Sequence, residues 1–502
     1  MARSLNLTRL GLGLAALLST AALIWFGTGL APLWPLMWFA PVPVLLFAID
    51  APMWSAAVIA GLAMIFGMLN LWGLFFGALE VPLPIIARIY LIEGVMFALA
   101  ALLFRALARR QAYWAALLAF PSFWVSFEWL LNVTSPHGTG GSLAYTQLAF
   151  LPFLQLASIT GPWGMSFLLL AFPAALAIAL RLRRDAPRQG FAVLGSTVAV
   201  IGAVLLFGTA RLLLPSSAGT PLKVGLVASD GANEHVADQG PAADELFRAY
   251  ELRVLELARQ GAAVVVLPEK TAVLTEADAA RVDAGFQSLA NENHVTIVVG
   301  VLRVVQRDGA GLQQLRYNQA RIYSAGGPVR TYDKEHMLPP FESDLTPGTA
   351  LTVMSTAAPD SAWGVAICKD MDFTELSRRY GEAGAGLLLV PAWDFFLDWI
   401  QHGHMAIMRG VESGFSVVRS AKGGSLFVSD DRGRIVAEIS SNAAPFTALL
   451  TSVSQSHDKT AFLVLGDSFA WVAVVTLMCC LARLMGLTDT RVQPAPRPEA
   501  TP

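Results

Sequence analysis

Long apolar runs fill the first 215 positions of the chain and then give way to a different pattern. Seven stretches, at about 10–27, 31–49, 53–79, 85–106, 113–133, 162–181 and 191–214, are mostly apolar over about 18 residues or more, the length a helix needs to cross a bilayer. An eighth covers about 461–486. The pattern predicts a multi-pass α-helical membrane bundle of about eight helices, seven N-terminal and one C-terminal. Arg3 and Arg9 precede the first run as in a signal peptide, but no small-residue cleavage site precedes the next span, so the run is read as a retained helix.

Between 222 and 455 apolar runs are short and alternate with amphipathic ones. Strands are predicted at 222–229, 262–269, 294–304, 362–369, 386–392 and 415–421, and helices at 241–260, 276–292, 374–383 and 399–413. In the first helix Leu246, Tyr250, Val254 and Leu257 form one stripe and Gly261 is the stop signal. Gly423-Gly424 and Asp431-Arg432-Gly433 separate alternating runs, which marks antiparallel hairpins. This segment reads as an α/β domain with a mixed sheet, large enough to bury a core of its own.

Composition agrees, with 55% hydrophobic and 14% charged residues against the roughly 45–50% and 25% of soluble domains. Lys and Arg accumulate in cytoplasmic loops. Arg3 and Arg9, then Arg105, Arg109 and Arg110, then Arg181, Arg183, Arg184 and Arg188 fall in alternate loops, and the loops near 80 and 140 carry neither type. Both termini are therefore expected in the cytoplasm and the 222–455 domain outside. The expected division is 1–215 membrane domain, 222–455 catalytic domain, 456–487 closing helix and 488–502 a disordered cytoplasmic tail. A net charge of −2 without a basic stripe speaks against nucleic acid, GTGG lacks the strand-turn-helix setting of a phosphate loop, and no motif calls for a cofactor.

The candidate chemistry sits at strand ends. Cys368 is the only cysteine outside the last apolar run, where Cys479 and Cys480 read as packing. An unpaired thiol in an oxidising compartment is a candidate nucleophile, and it needs a nearby cation or base. Lys334 and Glu269, which end two other segments, supply one of each. Cys is also among the most buried residue types, and Glu269 and Lys334 have ordinary readings as a loop cap and a solvated charge. Trp393, Phe395, Phe396 and Trp399 form an aromatic cluster that is either core or a lipid-facing lid over the thiol. His402 and His404 are two apart on a helix and face different ways, which argues against a shared metal. Arg88, Glu93 and Glu128 lie within predicted membrane helices, as functional groups or as a mutual ion pair.

Glu269, Lys334 and Cys368 in these strand contexts resemble the triad of the nitrilase-like carbon–nitrogen hydrolases. The seven-helix, hydrolase-domain, closing-helix order resembles their membrane-embedded branch, the apolipoprotein N-acyltransferases, over nearly the whole chain. LPPFE, GTGGSLAYTQLAFLPFLQLASITGPWGMSFL and DWIQHGHMAIMRGVESGFSVVRSAKGG also resemble family segments. The resemblance implies an αββα sandwich in a bacterial inner membrane, with no cofactor or metal. It implies ping-pong transfer of an acyl chain from a phospholipid, through a thioester on Cys368, to the N-terminal amine of a diacylglyceryl lipoprotein. Glu269 would be the base, Lys334 the cation for thiolate and oxyanion with the backbone N–H of Lys369, and Glu342 the group that orients Lys334 or the amine. Phe341 and the aromatic cluster would line the substrate. The chain departs from the family at Lys369 and Asp370, where Tyr and Glu are usual, and its 229–245 loop has no tryptophan. Lys369 would favour an anionic headgroup or disfavour the usual amine. The alternatives are a membrane-tethered amidohydrolase, a different amine acceptor and a non-catalytic scaffold.

Overall fold

The computed structural model describes residues 2–214, 221–230, 240–307, 313–356, 361–455 and 457–486. Most of the 229–245 loop and the expected tail at 488–502 lie outside these. The membrane part contains α1 (Ala2–Gly27), α2 (Trp34–Met37), α3 (Val42–Asp50), α4 (Met53–Met68), α5 (Leu83–Arg109) and α6 (Tyr113–Thr134). It continues through α7 (Leu151–Leu154), α8 (Ala157–Leu182) and α9 (Pro187–Leu213). Six helical segments, at Arg9–Gly27, Met53–Leu71, Leu83–Arg109, Tyr113–Thr134, Ala157–Leu182 and Pro187–Leu213, are long and apolar enough to cross a membrane. The runs expected at 31–49 and 461–486 form shorter apolar helices. Pro35, Pro41 and Pro43 divide the first into α2 and α3, because proline has no N–H for the preceding turn. Phe191 and Leu206 stand 73% and 75% exposed on the outer face, a surface that suits lipid rather than water.

Arg88, Glu93 and Glu128 do not form the alternative ion pair. Arg88 is exposed, and Glu128 instead accepts hydrogen bonds from Trp124 Nε1 (2.9 Å), Leu143 N (2.8 Å) and Ser142 Oγ (3.1 Å). Glu128 thereby pins the loop after α6 to the bundle.

The domain beyond has β1 (Leu222–Ala228), α10 (Pro241–Arg259), β2 (Val264–Val266), β3 (Val273–Leu274), α11 (Glu276–Asn293), β4 (Thr296–Arg307), β5 (Gln313–Tyr323) and β6 (Arg330–Asp333). Its second half has β7 (Val353–Ser355), β8 (Ala362–Val365), α12 (Thr374–Glu382), β9 (Ala385–Trp393) and α13 (Trp399–Ser413). It ends with β10 (Ser416–Lys422), β11 (Ser425–Ser429), β12 (Ile435–Ser440) and β13 (Thr447–Val453), and α14 (Ala461–Leu465) and α15 (Ser468–Leu484) close the chain. One sheet runs β13-β1-β2-β4-β5-β6 with β3 beside β4, and the other β12-β11-β10-β9-β8-β7. Val224, Val266 and Val298 of the first pack on Val365, Leu389 and Val418 of the second, and the outer faces carry α10 and α11, or α12 and α13. This is the expected αββα sandwich. In α10 Tyr250, Val254 and Leu257 are buried, and Gly261 follows at φ 91°.

Candidate active site

Glu269 follows β2, whose three valines are fully buried between the layers, and its N–H donates to Ala392 O at the end of β9 (3.2 Å). That bond carries the end of one sheet across to the other. Lys334 follows β6, and its N–H is held by Asn318 O of β5 at 2.8 Å. Lys334 Nζ lies 2.9 Å from Glu269 Oε1 and 2.7 Å from Glu342 Oε2. Asn318 Nδ2 donates to both carboxylates, at 2.5 Å to Glu269 Oε1 and 2.7 Å to Glu342 Oε1. Lys270 Nζ adds a second cation 2.7 Å from Glu342 Oε1. Glu269, Lys334, Glu342 and Asn318 are each at most 2% exposed.

So many charges are tolerable without water because two carboxylates face two ammonium groups. Burial alone would discharge Lys334, but attraction to Glu269 and Glu342 more than offsets it and raises its pKa. Against the upward pull of burial, Lys334 and Lys270 hold the Glu342 carboxyl well below the usual range.

Cys368 opens a tight turn after β8 at φ 44°, in the left-handed region that costs a non-glycine residue about 1–2 kcal/mol. The strain aims Sγ back over the strand ends, 3.5 Å from Trp393 O. Burial pushes the thiol pKa well above its ordinary value; Glu269 adds to the rise, and Lys334 and Arg419 oppose it without reversing it. The resting group is therefore a thiol, not the thiolate that a neighbouring cation alone would hold. Ionisation requires a base at the moment of attack, and Glu269 is the carboxylate whose charge acts on this sulfur most strongly.

The two residues after Cys368 have structural partners. Asp370 is fully buried and accepts from Ile367 N (2.9 Å), His336 N (2.9 Å), Glu335 N (3.2 Å) and Tyr332 Oη (2.8 Å). It clamps the Lys334 segment to the Cys368 turn. Lys369 does not present a free cation, because its Nζ is 2.9 Å from Asp372 Oδ2 and the residue is 4% exposed. The effect expected of it on headgroup or amine charge is neutralised internally. Asp372 O in turn accepts from Thr139 N (3.0 Å) and Thr139 Oγ1 (2.6 Å) of the loop that Glu128 pins. A chain of bonds thus runs from the membrane bundle to the Cys368 turn.

Behind the thiol, Asp394 takes both terminal nitrogens of Arg419, at 2.7 and 2.5 Å, and His402 Nδ1 at 3.0 Å. His402 Nε2 lies 3.5 Å from Asp372 Oδ1. Burial works against charge on His402, yet the two aspartates push its pKa up to about 10. Cys368, Asp394 and His402 approach one another as metal ligands do, but Arg419 and the imidazolium occupy the donor atoms a metal would need. His404 turns away to Glu438 (3.0 Å), as two residues apart on α13 requires.

The aromatic positions divide. Trp393 lies beneath Lys422 Nζ, 3.6 Å from its ring centroid. Phe341 and Phe395 contact each other at 5.4 Å, and Phe341 and Phe396 are 47% and 52% exposed. Leu397 packs against Gly73, beside Trp72 and Phe76 at the end of the α4 segment. These residues make an apolar rim shared with the membrane part rather than core. The Trp399 side chain lies outside the described residues.

Asn318, Lys270, Lys422, Arg419 and Asp394 are residues beside the candidate site that the sequence reading passes over, and His402 is one it weighs only as a metal ligand. Asn318 left one signal, a polar residue in the alternating run RYNQARIY.

Comparisons with known proteins match both parts of the chain. Residues 20–176 match the model described as the apolipoprotein N-acyltransferase N-terminal domain, and residues 227–458 match the carbon-nitrogen hydrolase model. An apolipoprotein N-acyltransferase of Geobacter metallireducens is 29% identical over 393 residues, 71% of this chain and 72% of that one. One from Pseudomonas aeruginosa is 29% identical over 407 residues, 72% of this chain and 74% of its own. Among solved structures, an amidase from Nesterenkonia sp. superposes with a TM-score of 0.38 at 18% identity, covering 48% of this chain and 93% of that chain. Both halves are matched in order, and the chain is similar to apolipoprotein N-acyltransferases through the bundle and the hydrolase domain together.

Proposed function

We propose that the protein moves a fatty acyl chain from a phospholipid to the N-terminal amine of a diacylglyceryl-cysteine lipoprotein, in two steps through a thioester on Cys368. Glu269 takes the thiol proton as Sγ attacks the ester carbonyl and returns it to the departing lysophospholipid oxygen. Lys334 and the backbone N–H of Lys369 stabilise the oxyanion. Glu342 keeps Lys334 charged and in place. The bundle would cross a bacterial inner membrane eight times, with both termini in the cytoplasm and 222–455 outside, joined by the 456–487 closing helix.

The observation that carries this reading is the rim. Phe341, Phe396 and Leu397 expose apolar surface beside a membrane helix end, and Phe396 and Leu397 follow closely on Trp393, whose carbonyl oxygen lies 3.5 Å from the buried thiol. An acyl chain leaving a bilayer needs such a path, and a water-soluble amide does not. The test is to incubate the purified protein with acyl-labelled phospholipid and a diacylglyceryl peptide. Label in an amide on the peptide's N-terminus is the expected product. Label released as free fatty acid at the same rate with or without peptide would instead mark a hydrolase.

A further inference from the structure

The proposed second step has a proton that the assigned residues do not absorb. An α-amine has an ordinary pKa near 8, so the acceptor arrives largely as an ammonium, and only its neutral form attacks. Joining an ammonium to a thioester forms one amide and one thiol and leaves one proton over. Glu269 accounts for the proton that passes from nitrogen to sulfur. A second base has to take the other.

The amines of the site differ in their freedom to do so. Lys334 is held by Glu269 and Glu342, Lys270 by Glu342 and Lys369 by Asp372. Lys422 has no carboxylate within 4 Å among the described residues. Its Nζ donates to Lys270 O at 3.0 Å and lies 3.6 Å from the Trp393 ring centroid, and the residue is 7% exposed. Position also favours it. Cys368, Trp393 and Lys422 follow or end β8, β9 and β10, which are adjacent and parallel, with Lys422 level with Trp393. Neighbouring strands lie about 4.8 Å apart, so Lys422 stands about two strand spacings from β8, across Trp393, whose carbonyl oxygen lies 3.5 Å from Sγ.

Resting on the acyl-transfer reading above, we propose that Lys422 is a catalytic base distinct from Glu269, which takes the first proton from the acceptor ammonium in the second half-reaction. The balance closes as follows. The Lys422 lone pair accepts one ammonium proton; the freed amine bonds to the thioester carbon; Glu269 takes a second proton from that nitrogen. The C–S bond then breaks with its electron pair on Sγ, Glu269 protonates the sulfur, and Lys422 releases its proton to water. The groups facing Lys422 are Glu269 and Lys270 after β2, Asp230 after β1 and the Trp393 ring. Burial lowers its pKa to about 7, with Glu269 opposing and Lys270 assisting, which suits a base working near neutrality.

The competing role is structural, since Lys422 also braces Lys270, which stands at φ 46°. Lys422→Arg separates the two, because arginine keeps a donor and a cation over Trp393 but offers no lone pair. The protein is loaded with phospholipid, the acyl-enzyme isolated, and its discharge by a diacylglyceryl peptide followed from pH 6 to 9. Lys422→Arg and Lys422→Met should both discharge about 10²-fold more slowly than wild type at pH 7 and recover as pH passes the peptide's own amine pKa. Discharge of Lys422→Arg at the wild-type rate at pH 7, or a defect that persists equally at pH 9, would overturn the assignment. A wild-type protein that never loads would remove the acyl-transfer reading, and this base with it.

Discussion

Lys334 lies nearer to Glu342 than to Glu269, 2.7 Å against 2.9 Å, so the carboxylate that the proposed proton transfer does not use holds the shared ammonium more closely. Glu342 thereby shares the ammonium that would otherwise pair with Glu269 alone. With Glu342→Gln the ammonium would turn fully to Glu269 and tie it up as an ion-pair partner. Acyl loading should fall by about 10²-fold with the fold retained, measured as the single-turnover rate of lysophospholipid release.

Asn318 is the one neutral member of the network, and it bridges two carboxylates. Asn318→Ala leaves buried acceptor positions without a donor, at about 1–3 kcal/mol. Both thermal stability and loading should drop. Asn318→Asp, which adds a third carboxylate, should be the more damaging of the two by differential scanning fluorimetry.

His402 makes stability depend on pH in a defined direction. Its folded pKa is about 10 against an ordinary 6.5, so the stabilisation is fully present below pH 6.5 and is lost as pH rises toward 10. The unfolding temperature of the wild type should fall across that window. His402→Gln should start lower, by more than the roughly 2–4 °C that 1 kcal/mol makes in a domain of this size, and should fall less steeply.

Gly138 stands at φ 52°, and a Cβ there would come within 2.7 Å of Asp372 O. Gly138→Ala should therefore displace the Cys368–Asp372 turn from its anchor on the bundle. Loading is expected to fall by at least tenfold while the unfolding temperature changes little. An unchanged loading rate would mean that the bundle does not position the nucleophile.

Much of this architecture was legible because its patterns are local. Long apolar runs give membrane helices, and the alternation from 241 to 421 gives β2, β4, β8, β9 and β10 with their four helices close to the expected places. Glu269 and Cys368 stand out because each follows an apolar strand, whereas Lys334 follows the polar run Arg330–Asp333. What escaped depends on contacts far apart in sequence. Asn318 enters the site only because β5 pairs with both β4 and β6, and Lys422 only because β10 lies beside β9. Lys369 looked like a free cation because its partner Asp372 meets it only once the chain winds into a tight turn. The first apolar run to break, at 31–49, carries four prolines that hydrophobicity alone does not weigh.

The central claim is that Cys368 carries an acyl group taken from phospholipid. The most direct measurement is the intact mass of the purified protein after incubation with a phospholipid of defined chains and no acceptor. The account predicts an added mass of one acyl chain that hydroxylamine removes and that Cys368→Ala abolishes. A folded wild-type protein that gains no such mass, or a Cys368→Ala variant that gains it equally, would contradict the account.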